Sequence, residues 1–295
     1  MTLSSTLITG LSLGCTYALV ALGIVILYKG SEVLNLSHGS VAVLGAYVTA
    51  RLADTLGFLG AAVAGVLAAG LFAVLVERLL IRRLANAPVV SLAIMTIGIE
   101  VILQTELTRR IGIDILQLDQ PWGTDSVDVL GTVVPVNRLV TIGVTVVVVA
   151  AFVAVLRLSD WGVSMRAVAE DREVAELVGL RLGRIAVVTW ATAGALAALA
   201  GVLLTGAPSA GLTPALSLVV LRAFAAALIG GLDSVAGALV GGLVVGMVEA
   251  VVTTYQEQLS FLGLGLSDVA AFLVMFVVLL VRPQGLFGRK VVARV

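Results

Sequence analysis

Apolar residues fill this chain in long blocks separated by short polar stretches. A hydrocarbon layer about 30 Å thick is crossed by roughly 20 apolar residues in helical conformation. Nine blocks approach that length: 6–28, 34–52, 58–80, 89–108, 139–156, 185–205, 214–230, 235–253 and 262–281. The pattern predicts an all-α, polytopic membrane helix bundle in a single domain, 1–295. About nine spans are expected, or eight if one of the short segments 34–52 and 214–230 is re-entrant. The first basic residue, Lys29, follows the first block. A cleaved signal peptide shows the opposite order and a shorter apolar region, so the block is expected to stay as the first helix.

Composition then narrows the class. Of 295 residues, 60% are hydrophobic and 12% charged, and mean hydropathy is +1.16. Soluble domains average about 45–50% apolar and about 25% charged, so polar surface is too scarce to cover a soluble core. The single cysteine, Cys15, and the single histidine, His38, argue against an internal disulfide and a Cys/His zinc site. Lys+Arg 18 against Asp+Glu 18 leaves no bulk field to attract nucleic acid. No catalytic, cofactor or metal residue is expected, a lone His giving no credible catalytic set.

Charge placement predicts an orientation. With the N-terminus outside, 13 of the 18 basic residues fall on the inner side, among them Lys29, Arg78, Arg82, Arg83, Arg157, Arg166 and the group from Arg282 to Arg294, as the positive-inside rule requires. The C-terminus is then cytoplasmic. The outer loop 111–136 is net acidic. Glycines spaced by four, Gly10 with Gly14, Gly237 with Gly241 and Gly242 with Gly246, suit close helix packing within the bundle or a face toward a second chain. The small-residue patterns of 9–26 and 192–205 run in opposite directions, a hint of an inverted repeat.

The one sizeable polar stretch on the inner side is 160–182. Ser164 or Asp160 can cap a helix there, and Gly179 followed by Leu180 can stop it. A short cytoplasmic helix from Ser164 to Val178 is expected. Ala167, Val174 and Val178 would lie on its apolar side, with Glu170, Arg172, Glu173 and Glu176 in water.

The run Arg166-Ala167-x-Ala169-Glu170-Asp171 with Ala175, Gly179 and Leu180 resembles the coupling motif of permease subunits of branched-chain amino acid ABC transporters, the LivH type. Gly14-Cys15-Thr16-Tyr17-Ala18-Leu19, Asn35-Leu36-Ser37-His38-Gly39, Gly230-Gly231-Leu232-Asp233-Ser234 and the ending Arg282-Pro283-Gln284-Gly285-Leu286-Phe287-Gly288 resemble the same family in order. Asp233 departs from the family's usual glycine. The resemblance implies a permease of the bacterial inner membrane that translocates branched-chain or other hydrophobic amino acids. It also implies partners: a second homologous permease, two cytoplasmic ATPases and an extracytoplasmic binding protein. Arg166, Ala167, Glu170, Asp171, Ala175, Gly179 and Leu180 would contact the ATPases. The chain carries no G-x-x-x-x-G-K-[ST] phosphate loop, so ATP would be bound by partners and no cofactor by this chain. A urea or short-amide permease of the same family, and an ion-coupled secondary transporter, are the alternatives.

Polar groups at membrane depth are the candidates for a translocation path, because each needs a partner or a wet cavity. Thr96, Glu100 and Gln104 recur every four residues and share one helix face. Glu100 and Arg222 each lie roughly 12 Å from the outer ends of their helices at 1.5 Å per residue, and they could pair or meet a solute's charged ends. Glu249 sits nearer the outer edge and could snorkel. Asn35 and His38 either satisfy backbone where the second span begins or line the path.

Overall fold

The computed structural model describes residues 3–84, 87–112, 115–116, 118, 120–129, 131–206, 211–256, 258 and 265–288. Helix α1 (Leu3–Ser31) runs through the middle of the bundle. It is uniformly apolar rather than striped, and from Cys15 to Leu27 every residue is buried. A helix hydrophobic all round belongs inside a bundle. Around it stand α7 (Leu182–Leu204), α8 (Leu216–Gly230), α9 (Val235–Thr254) and α4 (Val136–Leu158). Helices α3 (Val89–Ile111) and α4 turn long apolar faces outward, with Ile94, Ile102, Val146 and Val147 exposed. Such faces need hydrocarbon or another apolar surface against them.

Among the described residues six helices are long and apolar enough to cross a membrane and two further apolar helices are shorter, so a polytopic bundle forms while the count of nine is not confirmed. Blocks 34–52 and 58–80 fall in one element, α2 (His38–Leu79), interrupted at Gly57, whose φ of 67° and ψ of 165° are not helical. At 1.5 Å per residue, Gly45 and Gly65 of a straight helix would stand about 30 Å apart. Instead a Cβ at Gly65 would strike the Gly45 carbonyl and the Thr49 hydroxyl. Gly57 therefore folds α2 into two arms lying side by side. Blocks 214–230 and 262–281 shorten to α8, 15 residues, and α10 (Leu266–Val281), 16 residues; positions 262–264 lie outside the described residues, as do the terminal basic residues Arg289, Lys290 and Arg294.

The all-α expectation also needs amendment. The connection between α3 and α4 contains an antiparallel hairpin, β1 (Ser126–Val129) and β2 (Thr132–Pro135). Gly131, at φ 74°, makes the turn, and the Asp128 carboxylate accepts the Gly131 N–H at 2.9 Å. Acidic positions Asp114 and Asp119 of that loop lie outside the described residues.

The four-spaced glycines serve internal packing. A Cβ at Gly246 of α9 would fall on the Gly14 backbone of α1, and one at Gly242 on Ala18. Gly237 and Gly241 meet Gly230 and Ala226 of α8 in the same way. At the start of α9, Ser234 caps the helix by accepting the Gly237 N–H at 3.0 Å. The turn before it is tight despite Asp233, with the Ser234 N–H donating to the Gly231 carbonyl at 3.0 Å. The closing Arg-Pro-Gln-Gly stretch docks there, Leu286 and Phe287 donating backbone N–H groups to the carbonyls of Ile229 and Gly230 at 2.8 and 3.0 Å.

Candidate functional sites

The polar segment after α4 forms two helices, α5 (Asp160–Glu170) and α6 (Arg172–Leu177), where one was expected. The break is at Asp171, whose extended backbone (φ −156°, ψ 110°) ends α5 while its carboxylate accepts the Val174 N–H at 3.0 Å and starts α6. Aspartate competes for backbone donors in this way, which makes it a good cap and an indifferent interior residue. The cap of α5 is Ser159 rather than Ser164 or Asp160, accepting the Gly162 N–H at 3.1 Å. The expected stop does form. Gly179 (φ 88°) donates to the Glu176 carbonyl at 2.9 Å and Leu180 to that of Ala175 at 3.1 Å, the paired bonds of a Schellman ending.

The buried side of this segment differs from the expected one. Met165, Val168 and Ala175 enter the core that α1 and α7 build, and the Arg166 guanidinium donates to the Leu156 carbonyl. Ala167 and Val174 face out, and Leu177 and Val178 are 86% and 71% exposed. The break at Asp171 turns α6 away from the register of a continuous helix, so apolar residues placed inward by periodicity end up outward. A short polar segment thus carries an apolar ridge, Val174, Leu177 and Val178, beside Glu170, Asp171, Glu173 and Glu176, all exposed. Exposed apolar groups rimmed by charge mark a docking surface.

At membrane depth, Thr96, Glu100 and Gln104 face inward together, and each meets backbone left open by an interrupted helix. The Thr96 hydroxyl accepts the Leu36 N–H at 3.1 Å and shares its own proton between the Ala93 carbonyl at 2.8 Å and the Leu34 carbonyl at 3.2 Å. Glu100 accepts the Ser40 N–H at 3.0 Å, capping the start of α2 from a neighbouring helix. The Gln104 amide donates to the Pro214 carbonyl just before α8 at 2.7 Å. Asn35 accepts both the N–H and the hydroxyl of Ser37, at 3.0 and 2.6 Å, closing the turn into α2. His38 is 1% exposed, wedged where a side chain on Gly23 would touch it, and its Nε2 has no partner among the described residues.

Glu100 and Arg222 do not pair. Arg222 reaches Glu249 of α9 and Asp268 of α10, the latter at 2.5 Å. Nor does Glu249 snorkel: it is buried and also accepts the Tyr17 hydroxyl of α1 at 2.5 Å. The four side chains lock α1, α8, α9 and α10 together. Depth alone suggested the Glu100 pairing, but depth says nothing of which way each helix turns its side chains.

Two cavities lie away from the polar groups named at membrane depth. One of about 270 Å³ is lined by Thr9, Ser12, Thr16, Asn137, Arg138 and Thr141, where Arg138 donates to the Thr9 hydroxyl. Another of about 510 Å³ is lined in part by Glu77 and Trp190. The only sequence signal for Glu77 was an acid inside an apolar block. Among the described residues no three His, Cys, Asp or Glu side chains gather in a metal-holding arrangement.

Long apolar helices with outward apolar faces, and helix interruptions held by buried polar groups, define a multi-pass membrane helix bundle. The family described as branched-chain amino acid transport system / permease component matches residues 6–282, and the chain belongs to it. It is 32% identical to the high-affinity branched-chain amino acid transport system permease protein LivH of Salmonella typhimurium, over 97% of this chain and 96% of the relative. It is 30% identical to the corresponding protein BraD of Pseudomonas aeruginosa, over 98% and 97%. A probable branched-chain amino acid transport permease protein LivH of Methanocaldococcus jannaschii is 30% identical, over 92% and 88%. No solved structure matches the chain.

Proposed function

We propose that the chain is the pore-forming subunit of an ATP-driven importer of branched-chain amino acids in the bacterial inner membrane. The observation that carries this is family membership over nearly the full length of relatives named for that transport. The exposed apolar ridge of α6 supports it, since a transporter powered by separate ATPases needs such a surface at its cytoplasmic end. In this scheme two ATPases seat on the two permeases through 160–182. Arg166, Asp171, Ala175, Gly179 and Leu180 hold the segment's shape, while Ala167 and Glu170 present its face. A binding protein delivers solute at the opposite end, where the N-terminus lies. ATP is bound by the partners, and this chain binds no cofactor.

With both arms of α2 and the shorter α8 and α10 counted, the bundle has nine membrane segments. Asn35, His38, Thr96, Glu100 and Gln104 hold the interrupted helices that flank the path, and Arg222 stiffens its outer half through Glu249 and Asp268. Uptake by the complete transporter in membrane vesicles tests the substrate class. Labelled leucine uptake should be competed by isoleucine and valine and not by urea or acetamide; competition by urea or acetamide alone would move the chain to the amide-transporting branch.

A further inference from the structure

The 510 Å³ cavity lies on the coupling-segment side of the bundle. Glu77 and Arg82 border it from the end of α2 and the turn that follows, Leu92 from α3, Arg172 from α6 and Trp190 from α7. Glu77 is 2% exposed and Trp190 1%. Neither Glu77 Oε2 nor Trp190 Nε1 has a hydrogen-bond partner among the described residues. Arg78 and Arg82 attract Glu77 only from beyond contact distance, and no ion pair among the described residues includes it. The Arg82 guanidinium lies instead over Gly183, in the space a Cβ there would take.

A buried carboxylate without a donor and a buried indole N–H without an acceptor are both costly. One molecule carrying an ammonium and a carboxylate relieves both. Val33, Ile81 and Leu92 add an apolar wall to the same cavity, which suits an aliphatic side chain. Much of the rest of the lining is polar and charged, with Ser31, Glu32 and Glu176 beside Glu77, Arg82 and Arg172, so both charged ends of a zwitterion meet opposite charge there.

We propose that this cavity is a second solute site, taking the zwitterion of an aliphatic α-amino acid. Glu77 receives the ammonium, Trp190 Nε1 and Arg172 receive the carboxylate, and Val33, Ile81 and Leu92 hold the side chain. Small rotations of Glu77 and Trp190 bring their polar atoms to the ligand. Because α6 supplies one wall and α2, α3 and α7 the others, an occupied site ties the coupling segment to the bundle. A ligand stabilises the arrangement that forms its site, so imported product accumulating on this side slows the transport cycle. The identity of the solute rests on the proposed import of branched-chain amino acids; the site's chemistry does not.

The test is equilibrium binding of labelled leucine to the purified full-length chain, together with uptake by the complete transporter into leucine-loaded and empty proteoliposomes. Leucine should bind saturably and be displaced by isoleucine and valine, but not by isocaproate, which lacks the ammonium, or isoamylamine, which lacks the carboxylate. Glu77→Gln should weaken leucine binding by about tenfold or more and bring the ratio of uptake into empty and loaded vesicles toward unity. Ala186→Phe fills the cavity without removing a polar group and should do the same, which keeps the proposal testable if Glu77→Gln fails to fold. Absence of leucine binding to the folded chain, or binding that the folded variants leave unchanged, overturns the site. Leucine binding without any ATP-driven leucine uptake would overturn the importer and leave the site standing.

Discussion

Removing the apolar ridge of α6 separates docking from folding. Leu177 and Val178 are 86% and 71% exposed, so Leu177→Ala with Val178→Ala takes almost nothing from the chain's own core. Surface changes of this kind usually alter stability by less than about 0.5 kcal/mol. Covering a Leu or Val side chain fully is worth about 1.5–3 kcal/mol. Scaled by their exposure and by what alanine retains, the pair should contribute about 2–4 kcal/mol to a partner that covers them. That corresponds to a loss of roughly 30-fold to 1000-fold in affinity. The assay is titration of the ATPase subunits onto the reconstituted permease, with thermal unfolding of the permease alone as control. Unchanged unfolding with the stated loss of affinity supports docking on this ridge. Unchanged affinity would refute it, since no partner could then cover these side chains. Ala175→Asp, on the buried side of the same helix, should instead destabilise the chain itself.

The bundle is held by buried polar contacts and close helix packing, each open to substitution. Glu249→Ala leaves the Tyr17 hydroxyl without its acceptor and Arg222 with only Asp268, and should cost about 2–4 kcal/mol, read as a lower unfolding midpoint in detergent. In double-mutant cycles Arg222 should couple to Glu249 by about 1–3 kcal/mol and to Glu100 by less than about 0.5 kcal/mol; the charge swap Glu100→Arg with Arg222→Glu should therefore fail to restore stability. Gly246→Val pushes α9 off the Gly14 backbone, and overpacking of this kind costs about 1–3 kcal/mol or more, measured in the same unfolding assay. Asp171→Ala removes the cap that starts α6, worth about 1 kcal/mol, and should raise amide exchange at Val174 without changing that of α1.

Much of the bundle was legible because length in hydrocarbon is a strict requirement. Blocks such as 6–28 and 235–253 became helices close to their expected limits, and the four-spaced glycines met the backbones they had room for. What failed depended on direction rather than position. Asp171 reads as one more polar residue in a helical run, yet its capping bond reorients α6 and exposes Val174 and Val178. Glu100 and Arg222 sit at matching depths, but rotation about each helix axis gives one to Ser40 and the other to Glu249 and Asp268. Glu77 escaped notice because, next to Arg78 at the end of an apolar block, it looked like an interfacial charge. In the fold it is 2% exposed. The hairpin at 126–135 is too short and too polar for periodicity to separate it from a loop.

ATP hydrolysed on partner subunits is the proposed drive for solute through this bundle. Labelled leucine accumulation in proteoliposomes holding the permease pair, the ATPases and the binding protein measures it directly. Accumulation should require ATP, persist when proton and sodium gradients are collapsed, and fall with the ridge variant in step with its lost ATPase affinity. Accumulation driven by an ion gradient in vesicles lacking the ATPases would contradict it.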